Sequence, residues 1–124
     1  SWTSISLTNA LAIAYGGTGA KNAAAARTNL GIAATSLYNG TLTSGSITFN
    51  YGNYNFYVII GRPSSTASRA SLVVPKIMLT TSAVSFQIAD ESNYKSFNLS
   101  YSGSLVTLAI QGGNGQINRV FGIN

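Results

Sequence analysis

Residues 83–110 read Ala-Val-Ser-Phe-Gln-Ile-Ala-Asp-Glu-Ser-Asn-Tyr-Lys-Ser-Phe-Asn-Leu-Ser-Tyr-Ser-Gly-Ser-Leu-Val-Thr-Leu-Ala-Ile. From Ala83 to Ile88 and from Ser96 to Ser100, apolar and polar side chains alternate one for one. That period of two is the signature of a strand with one face in a core and the other in water. Leu105 to Ile110 is more continuously apolar, and Ser102-Gly103 between the last two runs is a turn signal. Asp90-Glu91-Ser92-Asn93-Tyr94 reads as a polar loop between the first two.

Working outward, Ser46-Ile47-Thr48-Phe49 alternates in the same way. Further turn signals stand at Asn39-Gly40, Ser44-Gly45, Tyr51-Gly52-Asn53 and Gly112-Gly113-Asn114-Gly115. Short strands at such regular spacing predict an all-β domain, an antiparallel β-sandwich of about eight strands. The strands are expected near residues 36–42, 46–50, 55–62, 70–79, 83–89, 95–100, 104–111 and 116–123. Pro75 cannot donate to a ladder, so its strand belongs at an edge or carries a bulge. Lys76, alone in an apolar run, is expected to snorkel to that edge. Arg62 to Arg69, with Pro63 and several Ser and Thr, is the longest expected loop.

Residues before about 34 differ in kind. Ala23-Ala24-Ala25-Ala26 is the one good helix nucleus, extended by Arg27 and Leu30. Asn22 or Thr18 could cap its start, and Gly31 sits where a left-handed C-terminal cap is expected. The expected division is a connecting segment over 1–34 with a short helix, then a β-sandwich over 35–124.

Composition narrows the function classes. Of 124 residues 45% are hydrophobic, enough for a core, and 7% are charged, against an average near 25%. Ser, Thr, Asn, Gln and Gly must cover the surface, or an oligomer hides much of it. The net charge of +5 comes from seven basic residues, no two adjacent, so nucleic acid is not an expected partner. There is no Cys, and no apolar run nears the ~20 residues of a membrane span. The chain opens on Ser1 rather than Met, which points to a piece of something longer.

Catalysis is not expected. The chain has no His and no Cys, and its carboxylates are the neighbours Asp90 and Glu91. A glycosidase needs two carboxylates ~5–9 Å apart on separate supports. No Gly-x-Ser-x-Gly elbow occurs, and ligands for a metal are too few. No cofactor is implied. Contact chemistry is better represented: amphipathic aromatics beside amides and hydroxyls grip sugars and proteins at low entropic cost. Tyr51, Asn53, Tyr54 and Asn55 have that composition in one turn, and Asn93, Tyr94 and Asn114 repeat it more weakly. Tyr38, Tyr57 and Tyr101 are assigned to core or interface.

Residues 14–32 read Ala-Tyr-Gly-Gly-Thr-Gly-Ala-Lys-Asn-Ala-Ala-Ala-Ala-Arg-Thr-Asn-Leu-Gly-Ile. This resembles a segment of the distal parts of bacteriophage and prophage tail fibres. Gly16 to Ala20 and Ala26 to Gly31 follow that family's pattern, while Tyr15 and Lys21-Asn22 depart from it. Gly-Gly-Thr-Gly has neither the ending of a P-loop nor the spacing of a dinucleotide fingerprint. Leu37-Tyr38-Asn39-Gly40 and Val120-Phe121-Gly122-Ile123 add a looser likeness to phage tip domains. The resemblance implies a homotrimer joined to the rest of the fibre by its N-terminal segment. It would sit at the distal end of the fibre in the virion and bind a host cell-surface receptor, a glycan or an outer-membrane protein. The other readings are a lectin or adhesin domain unrelated to phages, and a purely structural fibre or decoration module.

Overall fold

A computed structural model describes residues 11–13, 16–32 and 34–124. Residues 1–10 of the expected connecting segment, and Ala14 and Tyr15 of the glycine-rich motif, lie outside the described residues. The chain divides into two compact units, Ser1–Ala33 and Ala34–Asn124.

In the first unit the glycine-rich stretch turns back on the residues before it. The amides of Gly16, Gly17 and Gly19 donate to the carbonyls of Ile13, Ala12 and Leu11 at 3.0, 3.1 and 2.8 Å. Helix α1 spans Ala23–Asn29, where alanine makes helix cheap. Asn22 is its cap: Oδ1 accepts from the Ala25 amide at 2.8 Å. Thr18 serves differently, its carbonyl accepting from Asn29 Nδ2 at 2.9 Å. At the far end Gly31 takes φ 73°, and the amides of Gly31 and Ile32 return to the carbonyls of Thr28 and Arg27. These two bonds form a Schellman cap, the termination expected at Gly31. The helix buries no residue.

The second unit is built from eight strands in two antiparallel sheets. In chain order they are β1 Ala34–Leu42, β2 Ser46–Asn50, β3 Phe56–Arg62, β4 Ala70–Pro75, β5 Val84–Ala89, β6 Tyr94–Ser102, β7 Leu105–Gly113 and β8 Gln116–Ile123. The first sheet has the order β1-β8-β3-β4 and the second β2-β7-β6-β5. One strand is shorter than expected. The run 70–79 stays in the sheet only to Pro75, and Lys76–Met78 form a 3-10 turn instead. Pro75 has no amide to carry the ladder onward, and the turn leaves Ile77 92% exposed. β4 is an edge strand, as Pro75 requires.

Alternation decides what lies between the sheets. Tyr57 and Ile59 of β3, Val74 of β4, and Ile117 and Val120 of β8 face Phe49, Ile88, Phe97, Leu99, Val106 and Leu108 of the second sheet. Phe49 and Tyr57 meet edge to face across the two sheets, ring centroids 5.5 Å apart. Three ladders contain register shifts. The one between Ile60 and Gly61 turns Asn118 inward, where its amide reaches the Gly40 carbonyl of β1 at 3.3 Å.

Outside, the two sheets differ. The outward positions of the second sheet are Ser, Thr, Asn, Gln and Ala almost throughout, for example Thr48, Thr107, Ser100 and Ser85. In the first sheet those of β3, and those beside them on β4 and at the end of β8, are largely apolar, a contrast taken up below.

Gly122 closes the first sheet tightly. It pairs with Tyr57, and a Cβ there would lie 2.6 Å from three carbons of the Tyr54 ring. Gly122→Ala is therefore expected to destabilise the domain by about 1–3 kcal/mol through overpacking. In a Tyr54→Ala background the same change should cost little, which a denaturation-based double-mutant cycle measures.

Candidate functional site

The sequence-derived contact residues form two groups at opposite ends of the sandwich. Tyr51, Asn53, Tyr54 and Asn55 make the β2–β3 loop. The Tyr51 amide donates to the Ser104 carbonyl in the β6–β7 turn, and the Asn55 amide donates to the Ile123 carbonyl, each at 2.8 Å. Asn93, Tyr94 and Asn114 lie at the other end, where the Gly115 amide bonds the Tyr94 carbonyl at 3.0 Å. Strand β6, nine residues long, separates the groups. Its eight steps of ~3.3 Å span roughly 26 Å. A compact ligand meets one group or the other.

At the first end the tyrosines are committed to packing. Tyr51 stacks on Tyr101 with centroids 4.7 Å apart, and the Lys76 ammonium lies 3.8 Å from the centre of its ring. Lys76 Nζ also donates to the Gly52 carbonyl. The side chain does reach away from the apolar run, but it does so to bind a turn. The Tyr57 hydroxyl donates to the Tyr51 carbonyl at 2.5 Å. Tyr54 meets Tyr57 edge to face at 6.0 Å and covers Gly122. Asn53 and Asn55 are exposed, while both tyrosines are half-buried against the core. Strand β1 also begins at this end, since Ala34 pairs with Ile123 and Ile123 with Phe56.

The second end is open and polar. Tyr94 is 45% exposed. Beside it, Asn114 Nδ2 donates to Asn93 Oδ1 at 3.3 Å. The Asp90 carboxylate accepts from the amides of Ser92 and Asn93 at 2.9 and 2.7 Å. Those two amides, Ser92 first, hold its carboxyl below the ordinary value. Asp90 thus shapes the turn that presents Asn93 and Tyr94. The Arg62 side chain donates to the Ser65 carbonyl at 3.3 Å within the β3–β4 loop of the same end.

Beneath these loops lies a residue that sequence reasoning passed over. Lys95 is 2% exposed. Its ammonium donates to the carbonyls of Thr43 and Gly113 at 2.9 and 2.7 Å. Burial pushes its pKa down from the ordinary lysine value. One side chain on β6 thereby ties the β1–β2 turn to the end of β7. Its position was legible, because Lys95, Phe97 and Leu99 share one phase of the alternation and all point inward. What the alternation could not supply was the pair of carbonyls that makes a buried ammonium tolerable.

Comparison of the chain with protein-family models, with curated proteins and with solved structures found no match.

Tyr57 gives the domain a measurable alkaline limit. Burial, with smaller contributions from Tyr51 and Tyr54, pushes its pKa up from 10.0 to about 12. The unfolded chain therefore loses this proton first. The contribution to stability is whole below about pH 10 and is lost as pH rises through 12, on the order of 2–3 kcal/mol. Urea denaturation between pH 9 and 12 should show a decline that is shallower by this amount in Tyr57→Phe.

Proposed function

We propose that this chain is the receptor-binding tip of a bacteriophage tail fibre. It works as a homotrimer that attaches the particle to a host cell surface by multivalent, non-catalytic contacts. The observation that carries the reading is the segment Gly16 to Gly31, whose sequence resembles the connecting segment of such fibres. Its local build suits a connector: a glycine turn, then a helix capped at both ends that buries none of its residues.

The end of the sandwich bearing Asn93, Tyr94 and Asn114 is the better candidate for the receptor. The connecting segment joins the sandwich where β1 begins, which is the Tyr51–Asn55 end. That covalent junction is at the other end of the strands from Asn93, Tyr94 and Asn114. Their end presents an exposed tyrosine flanked by two asparagines, with turns held by Asp90 and Lys95. Ordering the loops before binding lowers the entropic cost of contact. An aromatic face beside amides suits a sugar ring or a loop of an outer-membrane protein. A single site of this size binds weakly, and three per trimer gain by avidity without any new contact.

The test is retention of the fluorescently labelled protein on a panel of bacterial strains. Tyr94→Ala with Asn114→Ala should lower retention on a binding strain about tenfold or more, as loss of a contact aromatic does. Melting should change little, because Tyr94 lies on the surface. Asn53→Ala with Asn55→Ala should leave retention unchanged. The opposite pattern places the receptor at the other end, and no retention by any strain removes the reading.

A further inference from the structure

The outward face of the first sheet is apolar where the fold calls for polar residues. An antiparallel sheet with one solvated face alternates apolar and polar residues along each strand. β3 does not: Phe56-Tyr57-Val58-Ile59-Ile60 is apolar at every position. Tyr57 and Ile59 point into the core, so Phe56, Val58 and Ile60 point out. The end of β8 repeats this from Val120, which points inward, with Phe121 and Ile123 outward. The register aligns them in rows: Phe56 stands beside Ile123 and Pro75, and Val58 stands beside Phe121 and Val73. Val73 is 57% exposed, and Ile77, just past β4, is 92% exposed. A strand apolar on both sides reads as covered on both sides.

We infer that this face is the surface on which copies of the chain pack against one another, an inference that rests on the trimeric reading above and locates its interface. The apolar rows run across β4, β3 and β8, whereas β1 presents Ser36 and Asn39 beside Phe121 and Arg119. Three strands ~4.8 Å apart over about 20 Å of strand give a projected patch of roughly 300 Å². That is the size of the largest patch a monomer ordinarily leaves exposed and somewhat over a third of what one partner gives to a standard interface, so it forms the centre of the contact and its surroundings supply the rest. It has the composition of an interface centre, with charge depleted and aromatics enriched. A charged partner is not called for. Arg119 is the cation in the third row, beside Ile60, and its guanidinium carbon lies over the Phe121 ring, 4.6 Å from the centroid. The chain's two carboxylate side chains, Asp90 and Glu91, lie in a turn of the other sheet. A second copy supplies what the face lacks, another apolar surface of the same kind.

The absence of native cysteine makes the test direct. Single variants Val73→Cys on this face and Thr48→Cys on the outward face of the second sheet are labelled with a maleimide, and the mass of the labelled species is measured. Both side chains are exposed in the single chain. Val73→Cys should react at least tenfold more slowly than Thr48→Cys in an oligomer, with the difference lost in denaturant. Adding Val58→Glu should release monomers that keep their β-sheet circular dichroism and restore fast labelling at Val73→Cys. Equal rates in the native protein overturn the inference. So does protection of Val73→Cys in a species of monomer mass, since another segment of the same chain then covers the face. Protection in an oligomer retained by no bacterial strain leaves the interface standing and removes the tail-fibre reading. Equal rates in a protein that still binds cells do the reverse.

Discussion

The last strand holds the domain together. β8 lies between β1 and β3, so the first sheet is incomplete until Gln116–Ile123 are placed. This one strand sends Ile117 and Val120 into the core, seats Gly122 beneath the Tyr54 ring, and turns Phe121 and Ile123 outward. At its bulge Asn118 reaches the carbonyl of Gly40 in β1. β2 pairs antiparallel with β7, so the second strand of the domain likewise meets its second-last. Pairings of such long sequence separation must close large loops before they yield contacts, so folding should be slow for a domain of this length.

The same strand order gives the molecule two unlike ends and two unlike faces. One end gathers the start of β1, the finish of β8 and a set of tyrosines locked together by Lys76 and by Gly122. The other gathers four turns over a buried lysine. One face is a field of hydroxyls and amides, the other a field of valine, isoleucine and phenylalanine. Under the proposed function each has its use. The locked end meets the fibre, the apolar face meets other copies, and the polar end meets the cell.

Much of this fold was legible in the sequence because strict alternation around Phe86, Phe97 and Leu99 leaves no other register. The turn glycines then placed the strands to within a few residues. The strand through Pro75 was overrun because an apolar run says nothing of where a ladder loses its donor, and Ile77 and Met78 looked as buried as Val74. The candidate contact residues were chosen by composition, which carries no information about distance. Composition therefore put Tyr51 and Tyr94 in one group, although the length of β6 separates them. The stacking of Tyr51 on Tyr101 and the carbonyl ligands of Lys95 depend on loops meeting across the sandwich, and no local pattern encodes that. The doubly apolar run of β3 was plain in the sequence, but its meaning required knowing which sheet lay behind it.

The measurement that reaches furthest into this account is the mass of the protein in solution at micromolar concentration, by sedimentation equilibrium. Three chains of 12.9 kDa give 3 × 12.9 = 38.7 kDa. The account predicts that mass, and predicts that it persists in ~1 M salt, because an apolar interface has little charge to screen. A particle of 12.9 kDa at all concentrations would contradict it.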